Sequence, residues 1–306
     1  MLTAQAQMRQ NAFDLAAAAK GNAFGMIIDA HCHLPPLSEA GTYEQAKVKL
    51  LDDLRADGVD YAILIPDNIP ASPIGDVDTC LALLDGEASI FLLGTIDIES
   101  QGQDWLRRLE QLVVAHRLVG MKIFPGHDPI HPTDPRLWPV YELCQTFRMP
   151  MVIHTGQNPG APEAAKFNHP AEIVRVAASF PNLALVIAHF YWPEVELCYR
   201  LTHAHPNIHY DISGLADPEV IEASGQEAIR SVLRKTITEH PTRVVFGSDY
   251  AMCSRADHIE LIKDLHLPDA VAEQVFWRNA AELFCLPVNQ QDRGSRQDGG
   301  DQVAKP

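Results

Sequence analysis

The sequence predicts an α/β protein in which eight parallel strands alternate with helices and close into a (β/α)8 TIM barrel. Three observations predict this fold: eight short apolar runs rich in β-branched residues, helix-like segments between them, and a length of 306 residues, which accommodates the ~250 residues of one such barrel. The runs are almost continuously apolar, as is typical of strands covered on both faces. They comprise residues 27–33, 61–66, 90–97, 118–125, 150–156, 183–190, 208–214 and 243–250.

The segments between the runs repeat apolar residues at helical spacing. In the first of them Leu50, Leu51 and Leu54 share one face, and in a later one Pro170 stands at a favourable first helical position. The predicted helices span residues 48–58, 104–116, 137–147, 170–180 and 194–205. An open doubly wound sheet is the alternative architecture. It would be expected to carry a glycine-rich phosphate loop, and neither GxGxxG nor GxxxxGK(S/T) occurs.

The chain divides into one domain with two flanking segments. Residues 26–286 contain all eight runs and form the predicted barrel. Residues 1–25 are predicted to be an N-terminal extension outside the barrel. Residues 287–306 are polar and glycine-rich without an apolar period, which predicts a disordered tail.

Composition restricts the class of partner. The formal net charge of −16 argues against nucleic acid and anionic membrane surfaces, and leaves a small-molecule substrate as the expected partner. No apolar run approaches the ~20 residues of a membrane helix, and no secretory signal is recognised. The six cysteines form no CxxC pair, which favours reduced thiols in a cytoplasmic protein.

Residues able to bind a metal stand at the ends of several runs. His31 and His33 end the first run, His154 the fifth, His189 the sixth and Asp249 the eighth. Side chains two apart on a strand point to the same side, so the first two imidazoles should project together into the barrel mouth, where catalytic groups of such barrels lie. An HxH pair alone is weak, and a lone histidine is more often a hydrogen-bonded core residue. The combination predicts a metal site, because imidazole and carboxylate suit Zn2+ and its neighbours.

The motifs DAHCH, GMKIFP, IHTG, AHF and FGSDY follow one another in this order. With them the sequence resembles the amidohydrolase superfamily, most closely its amidohydrolase-related branch, often called amidohydrolase 2, over about residues 27–286. The resemblance implies a metal-activated water that attacks an electrophilic carbon. Asp249 matches the metal ligand that also acts as general base, and His189 matches the histidine that orients or polarises the substrate. By position, the implied metal ligands are His31, His33, His154 and Asp249.

The number of metal ions depends on Lys122 in the fourth run. Two-metal members of the superfamily carry a carboxylated lysine at this strand, whereas the amidohydrolase-related branch often combines a GxK sequence with one metal. We expect one divalent ion, Zn2+ in the first place with Mn2+ as an alternative, and an unmodified Lys122 that helps to bind the substrate.

Further charged residues lie near the predicted mouth. Arg255 follows the eighth run, and its guanidinium could offer two parallel donors to a substrate carboxylate. The alternative is an exposed arginine at a helix end. Asp29 lies two positions before His31 and should face the same way, either holding an imidazole or lying in the barrel interior. Loops after the fourth and fifth runs carry His127, His131 and His169, which are expected to be solvated, with contact to the substrate as the alternative.

The ligand set and the resemblance predict an enzyme. The first hypothesis is a metal-dependent hydrolase that cleaves an amide, lactone or related C–N or C–O bond, with a small carboxylic acid as the expected substrate. A decarboxylase of an aromatic or unsaturated acid is the alternative within the same branch. An inactive metal-binding barrel is a third reading, but the His and Asp ligands suit an open catalytic position better than a closed structural one. Because family members are often dimers, a homodimer is expected.

Overall fold

A computed structural model describes residues 25–96, 98, 103–158 and 160–288. The predicted N-terminal extension up to residue 24 and the predicted tail from residue 289 lie outside the described residues. The eight strands are β1 (Ile28–Cys32), β2 (Tyr61–Leu64), β3 (Ile90–Thr95), β4 (Gly120–Ile123), β5 (Met151–Ile153), β6 (Leu185–Ala188), β7 (Ile208–Asp211) and β8 (Val244–Val245). Each pairs in parallel with the next, in chain order, so the predicted TIM barrel is confirmed.

The barrel closes between β8 and β1 through a few contacts rather than a ladder. Strand β8 has two residues, because the chain beyond Val245 leaves β7 and turns toward β1. The amide of Ala30 donates to the carbonyl of Phe246 at 2.8 Å, and the amide of Asp249 donates to the carbonyl of His31 at 2.9 Å. Two of the predicted site residues therefore lie at the seam of the barrel.

The described helices surround the barrel. They are α1 (Leu37–Ala40), α2 (Tyr43–Ala56), α3 (Val77–Leu83), α4 (Gln103–Val114), α5 (Trp138–Phe147), α6 (Pro170–Ser179), α7 (Val195–Thr202), α8 (Pro218–Ser224), α9 (Gln226–Glu239), α10 (Arg255–Lys263), α11 (Asp269–Glu273) and α12 (Asn279–Leu283). The five predicted helices are present, and the others were not assigned from the sequence. Helix α2 begins earlier than predicted because the Thr42 hydroxyl accepts from the amide of Gln45 and caps it.

A bulge in β1 decides which side chains reach the barrel mouth. Ile28 and Ala30 pack in the inner cluster, together with residues such as Val152 and Val186. The register with β2 then shifts between Asp29 and Cys32. An extra residue in a strand reverses the alternation of side chains beyond it, so His31 and His33 face the mouth while Cys32 packs in the outer cluster. The expectation that Asp29 faces the same way as His31 is wrong for this reason.

None of the helices in the described ranges has the length and apolar character needed to cross a membrane.

Candidate metal centre

The predicted ligands from the two ends of the sheet meet at the barrel mouth. The Nε2 atoms of His31 and His33 each lie 3.3 Å from Oδ1 of Asp249. Ligand atoms of these three residues all lie within 4.8 Å of one another. The Asp249 side chain is 19% exposed, so the group is accessible from the mouth. Three donors at this spacing could hold one divalent ion.

His154 and His189 extend this group along the mouth. His154 follows β5 directly and His189 follows β6. The ring of His189 lies 4.9 Å from the ring of His31 and 4.9 Å from that of His154, measured between centroids. His154 stands outside the compact group of His31, His33 and Asp249. The structure thus places all five predicted residues at one mouth, and the ligand role of His154 stays a prediction.

Hydrogen bonds on the far side of each ring determine which nitrogen carries a lone pair. Nδ1 of His33 lies 2.8 Å from the carbonyl of Ile65, which can only accept, so Nδ1 is protonated and Nε2 is free to bind a metal. Nδ1 of His31 faces Asp211 Oδ2 at 2.5 Å and donates to it. Nε2 of His154 lies 2.8 Å from the amide oxygen of Asn158, which leaves its Nδ1 as the acceptor. Each of these three imidazoles therefore keeps one nitrogen lone pair that could bind a cation.

The same reasoning assigns the tautomer of His189. Its Nδ1 lies 3.1 Å from the carbonyl of Ser213 and 3.0 Å from the hydroxyl of that residue. The Ser213 hydroxyl itself donates to Asp211 Oδ2 at 2.9 Å. Nδ1 of His189 must then be the donor, and Nε2 carries the lone pair. In its neutral form His189 accepts a hydrogen bond at the mouth rather than donating one.

Burial lowers the pKa of His31, His154 and His189 and so favours their neutral forms. Burial and the nearby charge of Lys122 hold the pKa of His31 well below its usual value, and burial lowers the pKa of His189 to about 3. Burial opposes ionisation of Asp249, but the facing histidines, His189 first, outweigh it and hold the pKa of this carboxyl well below its usual range. Neutral imidazoles around an ionised carboxylate are the protonation states that metal binding requires.

Lys122 lies inside the barrel near this group. It occupies β4 in register with Thr95 and Val152, is 1% exposed, and its Nζ lies 5.2 Å from the centroid of the Phe124 ring. Burial lowers its pKa to about 8, against the opposing charges of Asp211 and Asp249. Its position is consistent with a substrate contact, which remains a proposal.

Arg255 lies behind the centre rather than over it. Its side chain is 0% exposed, with Nε 2.8 Å from Asp29 Oδ2 and Nη1 2.9 Å from Asp57 Oδ2. Since those two donors already bind carboxylates and the guanidinium is enclosed, the expectation that Arg255 binds a substrate carboxylate is wrong. It is not an exposed arginine either.

The structure adds His127 and Ser213 to the site. His127 is exposed, and its ring meets that of His154 edge-on at 4.5 Å between centroids. The loop that carries it is tied by Asn168, whose amide donates to the carbonyls of Pro125 and Gly156. From the sequence, His127 is expected in a solvated loop with a substrate contact as the alternative, because a histidine outside a strand end carries no periodic signal. For Ser213 the available signal was its position two residues after Asp211, at the end of β7.

Comparison with protein families decides the affiliation of the chain. A family model described as amidohydrolase matches residues 28–286. The chain belongs to the amidohydrolase family. Within it, the chain falls in the amidohydrolase-related branch, as the sequence motifs predicted. It is an enzyme of this branch. No curated protein sequence matches it significantly.

Solved structures share the fold at low sequence identity. An amidohydrolase from Burkholderia multivorans with bound zinc has a TM-score of 0.63 and 18% identity, covering 86% of this chain and 100% of its own. A second similar structure is a 5-carboxyvanillate decarboxylase from Novosphingobium aromaticivorans, complexed with manganese and 4-hydroxy-3-methoxy-5-nitrobenzoic acid. Its TM-score is 0.61 and its sequence identity 15%, and the match covers 88% of this chain and 98% of its own. A third is a probable 2-pyrone-4,6-dicarboxylic acid hydrolase from Acinetobacter baumannii with bound citric acid. Its TM-score is 0.60 and its sequence identity 14%, and the match covers 85% of this chain and 99% of its own.

Proposed function

We propose that this amidohydrolase is a metal-dependent hydrolase that cleaves a C–O or C–N bond, such as a lactone or amide bond, in a small carboxylic acid. The observation that carries the proposal is the convergence of two imidazole Nε2 atoms on one oxygen of Asp249, each at 3.3 Å. We propose one divalent ion at this point, Zn2+ or Mn2+, held by His31, His33 and Asp249, with His154 as a further ligand. The bound ion would lower the pKa of water from ~15.7 to near 7.

The residues of the chain then divide the proton transfers. Asp249, ionised and 19% exposed, takes a proton from the attacking water and passes it to the leaving group. His189 presents the Nε2 lone pair assigned above, so it orients that water by accepting a hydrogen bond. The ion would polarise the bond under attack, and Lys122, the lysine inside the barrel, binds the substrate carboxylate.

A carboxylic acid substrate is supported by the charges at the mouth. Both Arg255 and Lys122 are buried, but Arg255 is bound to Asp29 and Asp57, so Lys122 is the cation that the described barrel interior offers near the centre. Asp249 and Asp211, which is 2% exposed, supply negative charge close enough to raise the pKa of Lys122. An acid bound with its carboxylate toward Lys122 would present its reacting carbon toward Asp249. The similar structures named for dicarboxylic and benzoic acid chemistry support the same class.

A substrate screen tests the function. Protein loaded with Zn2+ or Mn2+ is assayed against lactones, amides and aromatic carboxylic acids, with product detection for ring opening, amine release and carbon dioxide. Hydrolysis of a lactone or amide that depends on Asp249 is the expected result. A loaded, folded protein that acts on none of the three classes would favour the inactive metal-binding barrel.

Decarboxylation is the second candidate, and one finding favours it. The structure similar to this chain from Novosphingobium aromaticivorans is a decarboxylase complexed with manganese and a substituted benzoic acid. Carbon dioxide release from an aromatic acid without hydrolysis of lactones or amides would select this reading. Homodimer formation, a cytoplasmic location and the absence of nucleic-acid binding stay predictions.

Lys122→Met should weaken binding of the acid substrate found in the screen. Methionine keeps much of the volume and removes the charge, and a hydrogen bond to a charged group contributes about 1.5–3 kcal/mol, which corresponds to a rise in KM of about 10- to 150-fold. The measurement is the steady-state KM at saturating metal. Lys166→Met, on a lysine beside Phe167 outside the centre, is the control and should leave KM unchanged. An unchanged KM in Lys122→Met would remove this lysine from the substrate site.

His127→Gln should raise KM by about 2- to 10-fold with kcat largely retained, as loss of one neutral hydrogen bond or ring contact would. The reason is its exposed position edge-on to His154 on a tied loop. His131→Gln is the matched control, since this exposed loop histidine packs on Phe167 at 5.1 Å between ring centroids. Equal kinetic constants for both variants and the wild type would place His127 outside the substrate pocket.

A further inference from the structure

Asp29 is a fully buried carboxylate at the seam between β1 and β8. Its Oδ1 accepts from the amide of Ser248 at 3.0 Å and from the amide of His31 at 3.3 Å. Its Oδ2 accepts from the Ser248 hydroxyl at 2.6 Å and from Arg255 Nε at 2.8 Å. One side chain thus contacts the backbone of a proposed metal ligand on β1 and the residue that precedes a second ligand, Asp249.

Ser248 connects Asp29 to the residues on both sides of Asp249. Its hydroxyl donates to Asp29 and accepts from the amide of Tyr250 at 3.1 Å, so Asp249 stands between two residues anchored through one hydroxyl. Asp249 itself has φ of 63°, in the left-handed region. A non-glycine residue keeps such a conformation only where its surroundings enforce it. The anchors on both sides supply that enforcement and aim the carboxylate at the histidines.

Arg255 completes the anchor. Besides Asp29, its guanidinium binds Asp57, the residue that follows α2, at 2.9 Å and lies 4.1 Å from the centroid of the Tyr250 ring. Burial alone would lower the pKa of Arg255, but the nearby Asp29 carboxylate raises it above the usual value, so the guanidinium is charged. Its Nη2 atom is buried without a hydrogen-bond partner among the described residues. Arg255 is therefore held mainly by its two ion pairs, with Asp29 and Asp57, and not by a complete set of hydrogen bonds.

We propose that the buried Asp29–Arg255 pair is a positioning device that sets the separation of His31 and Asp249, and thereby the metal affinity of the centre. This inference rests on the proposed metal-dependent function. The observation that supports it is the weak pairing at the seam. Strand β8 pairs with β7 through two residues, and the described contacts between the β8 segment and β1 are isolated hydrogen bonds. The backbone bond from the Asp249 amide to the His31 carbonyl joins the two ligands there, and the ion pair and Ser248 fix the segments on both sides of that bond.

The sign of the effect separates positioning from simple electrostatics. Removal of a nearby positive charge would by itself strengthen the binding of a cation. Loss of position would weaken it, since partners behind the ligands typically change metal affinity by about 10- to 100-fold. Arg255→Met removes the charge and Arg255→Lys keeps it but loses the fork. We expect both to weaken Zn2+ binding by about 10- to 100-fold.

The experiment measures Zn2+ affinity by competition with a chromogenic chelator and the visible absorption spectrum of the Co2+-loaded protein, which reports ligand geometry. Arg243→Met and Arg243→Lys are matched controls. Arg243 directly precedes β8, at the end of this strand that lies away from Asp249. It is 7% exposed and donates to the carbonyls of His203 and His205. We expect the controls to lower the Tm while Zn2+ affinity and the Co2+ spectrum stay as in the wild type.

Ser248→Ala keeps every charge and should also weaken Zn2+ binding and alter the Co2+ spectrum, so it decides the matter if the Arg255 variants do not fold. Unchanged or tighter Zn2+ binding in folded Arg255 variants, or an unchanged affinity in Ser248→Ala, would overturn the proposal. A wild-type protein that binds neither Zn2+ nor Co2+ would instead overturn the proposed function on which it rests.

Discussion

Asp249→Asn should lower kcat by about 100- to 10,000-fold, the usual loss when a general base is removed, while the circular dichroism spectrum stays native. The amide keeps the shape of the side chain but cannot accept a proton. The backbone of Asp249 is held independently of its carboxylate, through Ser248 and through the bond from its amide to His31. Folding should therefore tolerate the change, and the loss should fall on turnover.

Metal content must be measured on the same sample, because an amide binds a metal more weakly than a carboxylate. The variant is assayed with metal restored to saturation. Asp257→Asn, on an exposed residue in the first turn of α10, is the control and should turn over normally. If metal-loaded Asp249→Asn works at nearly the wild-type rate, Asp249 is not the base, and His189 or Lys122 is the next candidate.

Removal of the metal should abolish turnover. Chelation of the purified protein is expected to leave less than about 1% of the activity, since a metal-activated nucleophile contributes several powers of ten in rate. One equivalent of Zn2+ or Mn2+ should restore it. The physical reason is the compact group of His31, His33 and Asp249, the one such group of three or more ligand residues that the described part of the chain provides.

Elemental analysis of protein purified without added metal should show about one equivalent per chain. His33→Ala should lose the metal, whereas His205→Ala, at the opposite end of the barrel between α7 and β7, should retain it. Two equivalents together with extra mass on Lys122 would indicate the two-metal form. Full activity in the chelated protein would contradict a metal-dependent mechanism.

Particular residues show why some parts of the site were predictable. His31 and His33 could be assigned because their spacing matches strand alternation and because strand ends meet at one mouth in a barrel. Asp29 could not, since the bulge that separates it from His31 arises from pairing with β2. Arg255 was expected over the mouth as a substrate ligand, but it lies enclosed behind the centre and binds carboxylates of the protein. Its partner Asp57 follows α2 and is 198 residues away in sequence, and no local pattern indicates such a contact.

The role of His189 as a hydrogen-bond acceptor could not be predicted from the sequence either. The sequence identifies a histidine at the end of the sixth strand, but the proton position depends on Ser213 and Asp211 from the next strand. His127 is a similar case, because its contact with His154 depends on the loop that Asn168 ties between β4 and β5.

By itself, the sequence determined the eight strands, the order of the barrel and the residue types at its mouth, because apolar periodicity and strand-end position are local properties of the chain. Tertiary structure alone decided which nitrogen of each imidazole is free, which way Asp29 faces, and that Arg255 pairs with carboxylates inside the protein. These features depend on partners from other strands and on the closure of β8 against β1. Hydrogen bonds and ion pairs between distant segments have no counterpart in local pattern, and they position the ligands of the proposed metal.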